Sequence, residues 1–142
     1  MREPMGGEMY SVLVVDDQPG LRRLLYEALT DVCPCVLAAA GGREALAMID
    51  RHRPAIVLLD LKMPGLDGVD TLRLLRERYP DMVVVVMTAY SELETLKSIK
   101  ELGVSHYLAK PFDIHEVRYL VKALLAKVDK KNCDWRERAG GA

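Results

Sequence analysis

No apolar run in the chain approaches the roughly 18 residues that a membrane span needs, so no spanning helix is expected. An excess of one charge is missing too: 20 basic and 21 acidic residues leave a formal net charge of -1. That balance gives no electrostatic ground for binding nucleic acid or an anionic membrane. The start, Met1-Arg2-Glu3-Pro4-Met5-Gly6-Gly7-Glu8, lacks the apolar centre of a signal peptide, which makes the cytoplasm the expected compartment. Cysteine is sparse and odd in number, and Cys33, Cys35 and Cys133 fit reduced thiols. Cys33-Pro34-Cys35 has neither the CxxC redox spacing nor the form of half a zinc site. His52, His106 and His115 show no metal-ligand spacing.

What remains is an ordinary globular balance, half hydrophobic and 29% charged, in 142 residues that suit one domain. Its central stretch is Ile56-Val57-Leu58-Leu59-Asp60. Four unbroken apolar residues predict a strand buried on both faces, the pattern of a central strand in a parallel sheet. The run ends on a carboxylate, and Pro64-Gly65 marks a turn soon after. Residues 1–9 read as a loose N-terminal extension. Tyr10 to Val15, Cys35 to Ala40, Met82 to Met87 and His106 to Ala109 read as further strands.

Helices fill the intervals. The first starts at Pro19 with Leu24, Leu25, Ala28 and Leu29 as its inward stripe. A second ends near His52, and a third runs from Asp67-Gly68 to about Arg78. Ser91 and Glu94 form a capping box for a fourth, which Gly103 closes as a left-handed cap. Asp113 caps the last, whose Val117, Leu120, Val121, Leu124 and Leu125 follow the 3.6 period to about Lys127. Residues 128–142, Trp135 included, read as a polar, frayed tail. Strand and helix thus alternate five times through residues 10–127, which predicts a doubly wound parallel sheet of the α/β class.

Four of the five strands deliver polar side chains to one rim: Asp16-Asp17, Asp60, Thr88 and Lys110. Three anions held close repel unless a cation compensates. A hard divalent cation suits them, Mg²⁺ favouring few carboxylates, several waters and phosphate oxygens. A carboxylate can attack phosphorus and become an aspartyl phosphate. Metal and lysine would neutralise the transferred group while a hydroxyl donates to its oxygen. Asp60 is then the nucleophile, Asp16 and Asp17 hold metal, and Thr88 and Lys110 contact the phosphoryl group.

At this point the chain resembles a family, the receiver domains of bacterial two-component response regulators, along residues 10–127. The matching pieces are Val-Val-Asp16-Asp17, Leu-Leu-Asp60-Leu-Lys-Met-Pro64-Gly65-Leu-Asp67-Gly68, Met-Thr88-Ala89 and Tyr107-Leu-Ala-Lys110-Pro111. The resemblance implies a flavodoxin-like strand order, 2-1-3-4-5. It further implies phosphoryl transfer from a partner's phosphohistidine to Asp60 with Mg²⁺ or Mn²⁺, the Lys62 backbone carbonyl completing the metal site. Thr88 and Tyr107 would form a switch pair. A receiver acts on no outside substrate and catalyses only its own phosphorylation and dephosphorylation. Within the family the likeness is to stand-alone relay domains of sporulation phosphorelays. It rests on Asp16-Asp17-Gln18, Arg22, Leu24-Leu25, Met87-Thr88-Ala89-Tyr90, Lys100-Glu101-Leu102-Gly103 and Ala109-Lys110-Pro111-Phe112-Asp113-Ile114. Tyr107 departs from that type, which carries histidine there; an aromatic switch is more typical of regulators that signal by changing shape.

Partners implied are a sensor histidine kinase, a histidine phosphotransferase and a phosphatase, with the chain itself a monomer. Leu21, at the stripe's edge beside Gly20, is either core or part of an exposed apolar patch with Gln18, Leu24, Pro111 and Phe112. The resemblance favours the patch, on which, together with Gly20 and Tyr90, a partner's helices would dock. Lys62 and Tyr90 would screen the phosphoryl group from water and slow its hydrolysis. Three rival functions fit the residues less well. An aspartyl-phosphate phosphatase needs a second Asp where Lys62 stands. A flavin or dinucleotide binder needs a glycine-rich loop where Asp16-Asp17-Gln18 stands. A transcription factor's receiver half would need about 50 more residues for a helix-turn-helix, so a domain cut from a longer regulator stays open.

Overall fold

Apolar side chains that alternate in phase along each strand give this chain a sheet with two buried faces. In a computed structural model the described residues are 10–62, 68–89, 95–104 and 106–140, without the side chains of 89, 95, 96, 98 and 129–140. They form β1 (Ser11–Val15), α1 (Pro19–Leu29), β2 (Cys35–Ala39), α2 (Gly42–His52) and β3 (Ile56–Asp60). There follow α3 (Gly68–Arg78), β4 (Val83–Ala89), α4 (Thr95–Glu101), β5 (His106–Lys110) and α5 (Ile114–Gly140). All pairings are parallel, and the strand order is β2-β1-β3-β4-β5.

The phases separate cleanly. Leu13, Val15, Val57, Leu59, Val84 and Val86 pack with α2, α3 and α4 residues such as Ile49, Leu72 and Ile99. Val12, Val14, Ile56, Leu58, Val85 and Met87 pack with Leu25 and Leu29 of α1 and Val117 and Val121 of α5. β3 is buried at every position, as its unbroken apolar run requires. Full burial of each such side chain stabilises the fold by about 1.5–3 kcal/mol before entropy is counted.

Several boundaries follow local chemistry. Pro19 opens α1, where its missing N–H costs nothing. The Asp113 carboxylate accepts the His115 N–H at 2.8 Å before α5. Gly103 takes φ +79 after α4, the left-handed cap expected of it. Arg53 takes the same role after α2 at φ 48, against type, with its guanidinium 4.8 Å from the Tyr79 ring centre.

The structure differs from the sequence expectation in α1, at strand ends and in the last helix. Leu24 is not part of the inward stripe: it is 50% exposed, because the buried i, i+4 pair Leu25 and Leu29 sets α1's face and Leu24 stands 100° away. β4 runs two residues further, to Ala89, and β5 one further, to Lys110, since each pairs with its neighbour to that end. α4 is described only from Thr95, and the Ser91–Glu94 capping box lies outside the described residues. The last helix does not stop near Lys127. It continues through residues 128–140, a segment without proline in which two Lys, two Arg and Glu137 propagate helix well. At 27 residues it is about 40 Å long. No described helix is long and apolar enough to cross a membrane.

Candidate functional site

Strand phase brings the rim residues together. Asp16 continues the phase of Val12 and Val14, Asp60 that of Ile56 and Leu58, and Lys110 that of Leu108, so the three side chains turn to one side of the sheet. β1 and β3 are neighbours while the chain's order reverses between them, the crevice where open α/β sheets hold ligands. Lys110 Nζ lies 3.3 Å from Asp16 Oδ2 and 3.4 Å from Asp60 Oδ1. One ammonium thus spans two buried carboxylates. Asp17 stands beside them, and one carboxylate oxygen from each of Asp16, Asp17 and Asp60 lies within 4.8 Å of the others.

The loops are tied to the backbone. The Asp16 N–H donates to the Ala39 carbonyl at 3.2 Å, and the Gln18 N–H donates to Asp16 Oδ1 at 2.9 Å. Past β3, the Leu61 N–H donates to the Met87 carbonyl and the Lys62 N–H to Asp60 Oδ1, both at 3.2 Å. Burial pushes the Asp60 carboxyl above its ordinary range. Lys110 opposes that and Asp16 adds to it. The donor set fits a hard divalent cation: three carboxylate oxygens lie within 4.8 Å of one another, with Lys110 paired to two of the three groups. Asp17, Asp60, Lys62, Thr88 and Lys110 line a cleft of about 230 Å³, room for several waters or a phosphoryl group.

Thr88 is buried on the rim in the opposite phase, in line with Val84 and Val86. Tyr107 pairs with Val86 and shares that phase, but its ring is 56% exposed. The two expected switch residues are therefore diagonal neighbours on the α4 face, the hydroxyl inside and the ring outside.

A second pocket of about 370 Å³ adjoins the first, between Leu21, Lys110, Pro111 and Phe112. Leu21 is half-buried against the α1/α5 core, so the two readings of that residue both hold in part. Gln18 and Gly20 are exposed on the same side, and Leu24 is exposed one turn on. Tyr90 lies outside the described residues, as do Pro64, Gly65 and Asp67. Two residues that the sequence did not single out as site residues support it. Gly68 donates its N–H to the Leu61 carbonyl at 3.0 Å, and Arg22 donates to the Asp16 carbonyl at 2.8 Å. The partner is a backbone carbonyl in both cases, which leaves no trace in residue types.

The fold and this rim are those of a receiver domain, and the chain belongs to the response regulator receiver domain family, whose model matches residues 12–122. Sporulation initiation phosphotransferase F of Bacillus subtilis is 43% identical over 114 residues, covering 80% of this chain and 92% of that protein. The DNA-binding transcriptional regulator NtrC of Salmonella typhimurium is 36% identical over 115 residues, of which this chain spans 24% of the length. Among solved structures, chemotaxis protein CheY4 of Vibrio cholerae superposes with a TM-score of 0.76 at 28% identity. That match covers 82% of this chain and 98% of CheY4.

Proposed function

We propose that Asp60 accepts a phosphoryl group from a partner's phosphohistidine, with Mg²⁺ or Mn²⁺ bound by Asp16, Asp17, Asp60 and the Lys62 backbone carbonyl. The observation that carries this reading is the Lys110 ammonium, within 3.4 Å of both Asp16 and Asp60, at the rim of a cleft with three carboxylates. An Asp60 oxygen attacks phosphorus as the phosphorus–nitrogen bond breaks. The imidazole leaves with the bonding pair and takes up a proton, and Asp60 becomes an acyl phosphate. The cation, when bound, neutralises charge on the transferred oxygens. Lys110 exchanges its Asp60 contact for a phosphoryl oxygen, and the Thr88 hydroxyl donates to another. Lys62, exposed at the cleft's edge, shields the product from water. The chain in this reading is no enzyme toward outside molecules; it catalyses only its own phosphorylation and dephosphorylation.

The partners would be a sensor histidine kinase as donor, a histidine phosphotransferase as onward acceptor and a phosphatase. The near-complete coverage of sporulation initiation phosphotransferase F supports a relay of this kind. The docking face would be Gln18 before α1 and Gly20, Leu21 and Leu24 on it, with Pro111 and Phe112, around the apolar pocket beside the cleft; Tyr90 would join it on the resemblance alone. No role for nucleic acid or membrane is proposed, and the chain would act as a monomer. One observation favours a second reading, an output switch. The Tyr107 ring is outside, free to turn inward when phosphoryl draws the Thr88 hydroxyl toward Asp60.

Intact mass after incubation with acetyl phosphate tests the chemistry. One phosphoryl group gained with Mg²⁺, and none without it or in Asp60→Ala, is the expected result. No gain in the intact protein would leave a phosphorylation-independent binding module. Loss of the added mass to a histidine phosphotransferase then separates relay from output switch.

A further inference from the structure

The loop that carries Asp16 and Asp17 is three residues long between β1 and α1, and one residue holds both its ends. The Arg22 backbone N–H donates to the Gln18 carbonyl at 2.9 Å, as the helix requires. Its guanidinium Nη1 reaches back and donates to the Asp16 carbonyl at 2.8 Å. Inside this clasp the Gln18 N–H donates to Asp16 Oδ1 at 2.9 Å. A half-buried guanidinium held on the loop that carries Asp16 and Asp17 would ordinarily pair with a carboxylate. Among the described residues Arg22 instead spends its contact on a carbonyl, leaving the Asp16 carboxylate to Lys110 and the Asp17 carboxylate open to the cleft.

We infer that Arg22 is a positioning residue for the divalent-cation site. By holding the Asp16 carbonyl it fixes the peptide plane between Asp16 and Asp17, and hence the directions in which both carboxylates leave the backbone. This rests on the phosphoacceptor reading above.

Charge and positioning act with opposite signs here, which makes the inference testable. A cation near an anionic site weakens its hold on Mg²⁺, so removing Arg22 would tighten binding if only its charge mattered. Removing a clasp loosens binding, because the loop must then be ordered by the metal. The experiment is calorimetric titration of the full chain with Mg²⁺ at fixed ionic strength, for the wild type, Arg22→Ala, Arg22→Met and Arg22→Lys. Arg22→Met keeps the aliphatic stem and guards against a variant that fails to fold.

Arg22→Ala and Arg22→Met are expected to bind Mg²⁺ about three- to tenfold more weakly, a part of the worth of one hydrogen bond from a charged donor. Arg22→Lys should recover most of the affinity. The deficit in phosphorylation by acetyl phosphate should shrink as Mg²⁺ is raised, a pattern that a general loss of fold would not produce. Mg²⁺ binding unchanged or tighter in Arg22→Ala and Arg22→Met, beside a wild type that binds normally, overturns the role of Arg22 alone. A wild type that takes up neither Mg²⁺ nor phosphoryl overturns the phosphoacceptor reading, and this one with it.

Discussion

Asp60 holds two opposed demands. Burial favours its neutral form, while Lys110 at 3.4 Å and the chemistry proposed for it favour the anion. Its folded pKa lies above the ordinary carboxylate value of about 4. The stability contributed by such a group is complete below the unfolded value and is lost as pH rises through the folded one. At pH 7 without metal, buried Asp60 therefore burdens the fold. Asp60→Asn should melt above the wild type there, by about 2–4 °C for a domain of this size. The gap should close as pH falls toward 4, and Mg²⁺ should narrow it at pH 7 by stabilising the wild type alone. Calorimetric melts from pH 4 to 8 measure this, and equal melting temperatures throughout would show that Asp60 feels no such conflict. At this scale the rim was legible because Asp16, Asp60 and Thr88 each terminate an apolar run. Arg22 was seen only as a shared residue, for its partner is a carbonyl.

Elements were legible where a side-chain signal marks them: the β3 run, Pro19 before α1, Asp113 before α5 and Gly103 after α4 all lie where their chemistry directs. They were less legible where neighbours decide. Leu24 and Leu25 look alike in sequence, and only packing against the sheet exposes one and buries the other. Gly68 shows the same limit. A Cβ on Gly68 would fall under 3.0 Å from Leu61 Cα and from the carbonyl oxygens of Asp60 and Leu61, so α3 starts almost on the backbone that carries the nucleophile. Gly20 faces open space. The two glycines make a controlled pair. Gly68→Ala should force α3 away from the β3 end, destabilising the protein by about 1–3 kcal/mol and slowing phosphorylation. Gly20→Ala should be neutral or stabilising by up to about 1 kcal/mol through helix propensity. Thermal melts and acetyl phosphate kinetics on both variants check this; a Gly68→Ala protein that melts and phosphorylates like the wild type would mean the loop after β3 yields freely.

Over the whole molecule the two ends of the sheet do different work. The carboxyl ends of β1, β3, β4 and β5 carry the cleft, and the helices behind them carry two separate cores. At the opposite end, Val128 of α5 meets Arg53, Pro54, Tyr79 and Val83 around a pocket of about 330 Å³. The core residues whose side chains are described fall between Val12 and Leu124, while the backbone of α5 runs on as helix to Gly140. Helix propensity accounts for its form, and nothing in the composition of 129–140 distinguished a continued helix from a frayed tail, because the same Lys, Arg and Glu serve both. Ending the chain after Val128 should then leave the melting temperature within about 2 °C, less than the change from 1 kcal/mol in a domain of this size. The rate of phosphorylation by acetyl phosphate at saturating Mg²⁺ should be unchanged. A fall of more than about 5 °C would instead mean that residues 129–142 reach back to the sheet and belong to the folded unit, since a free helix end cannot stabilise what it does not touch.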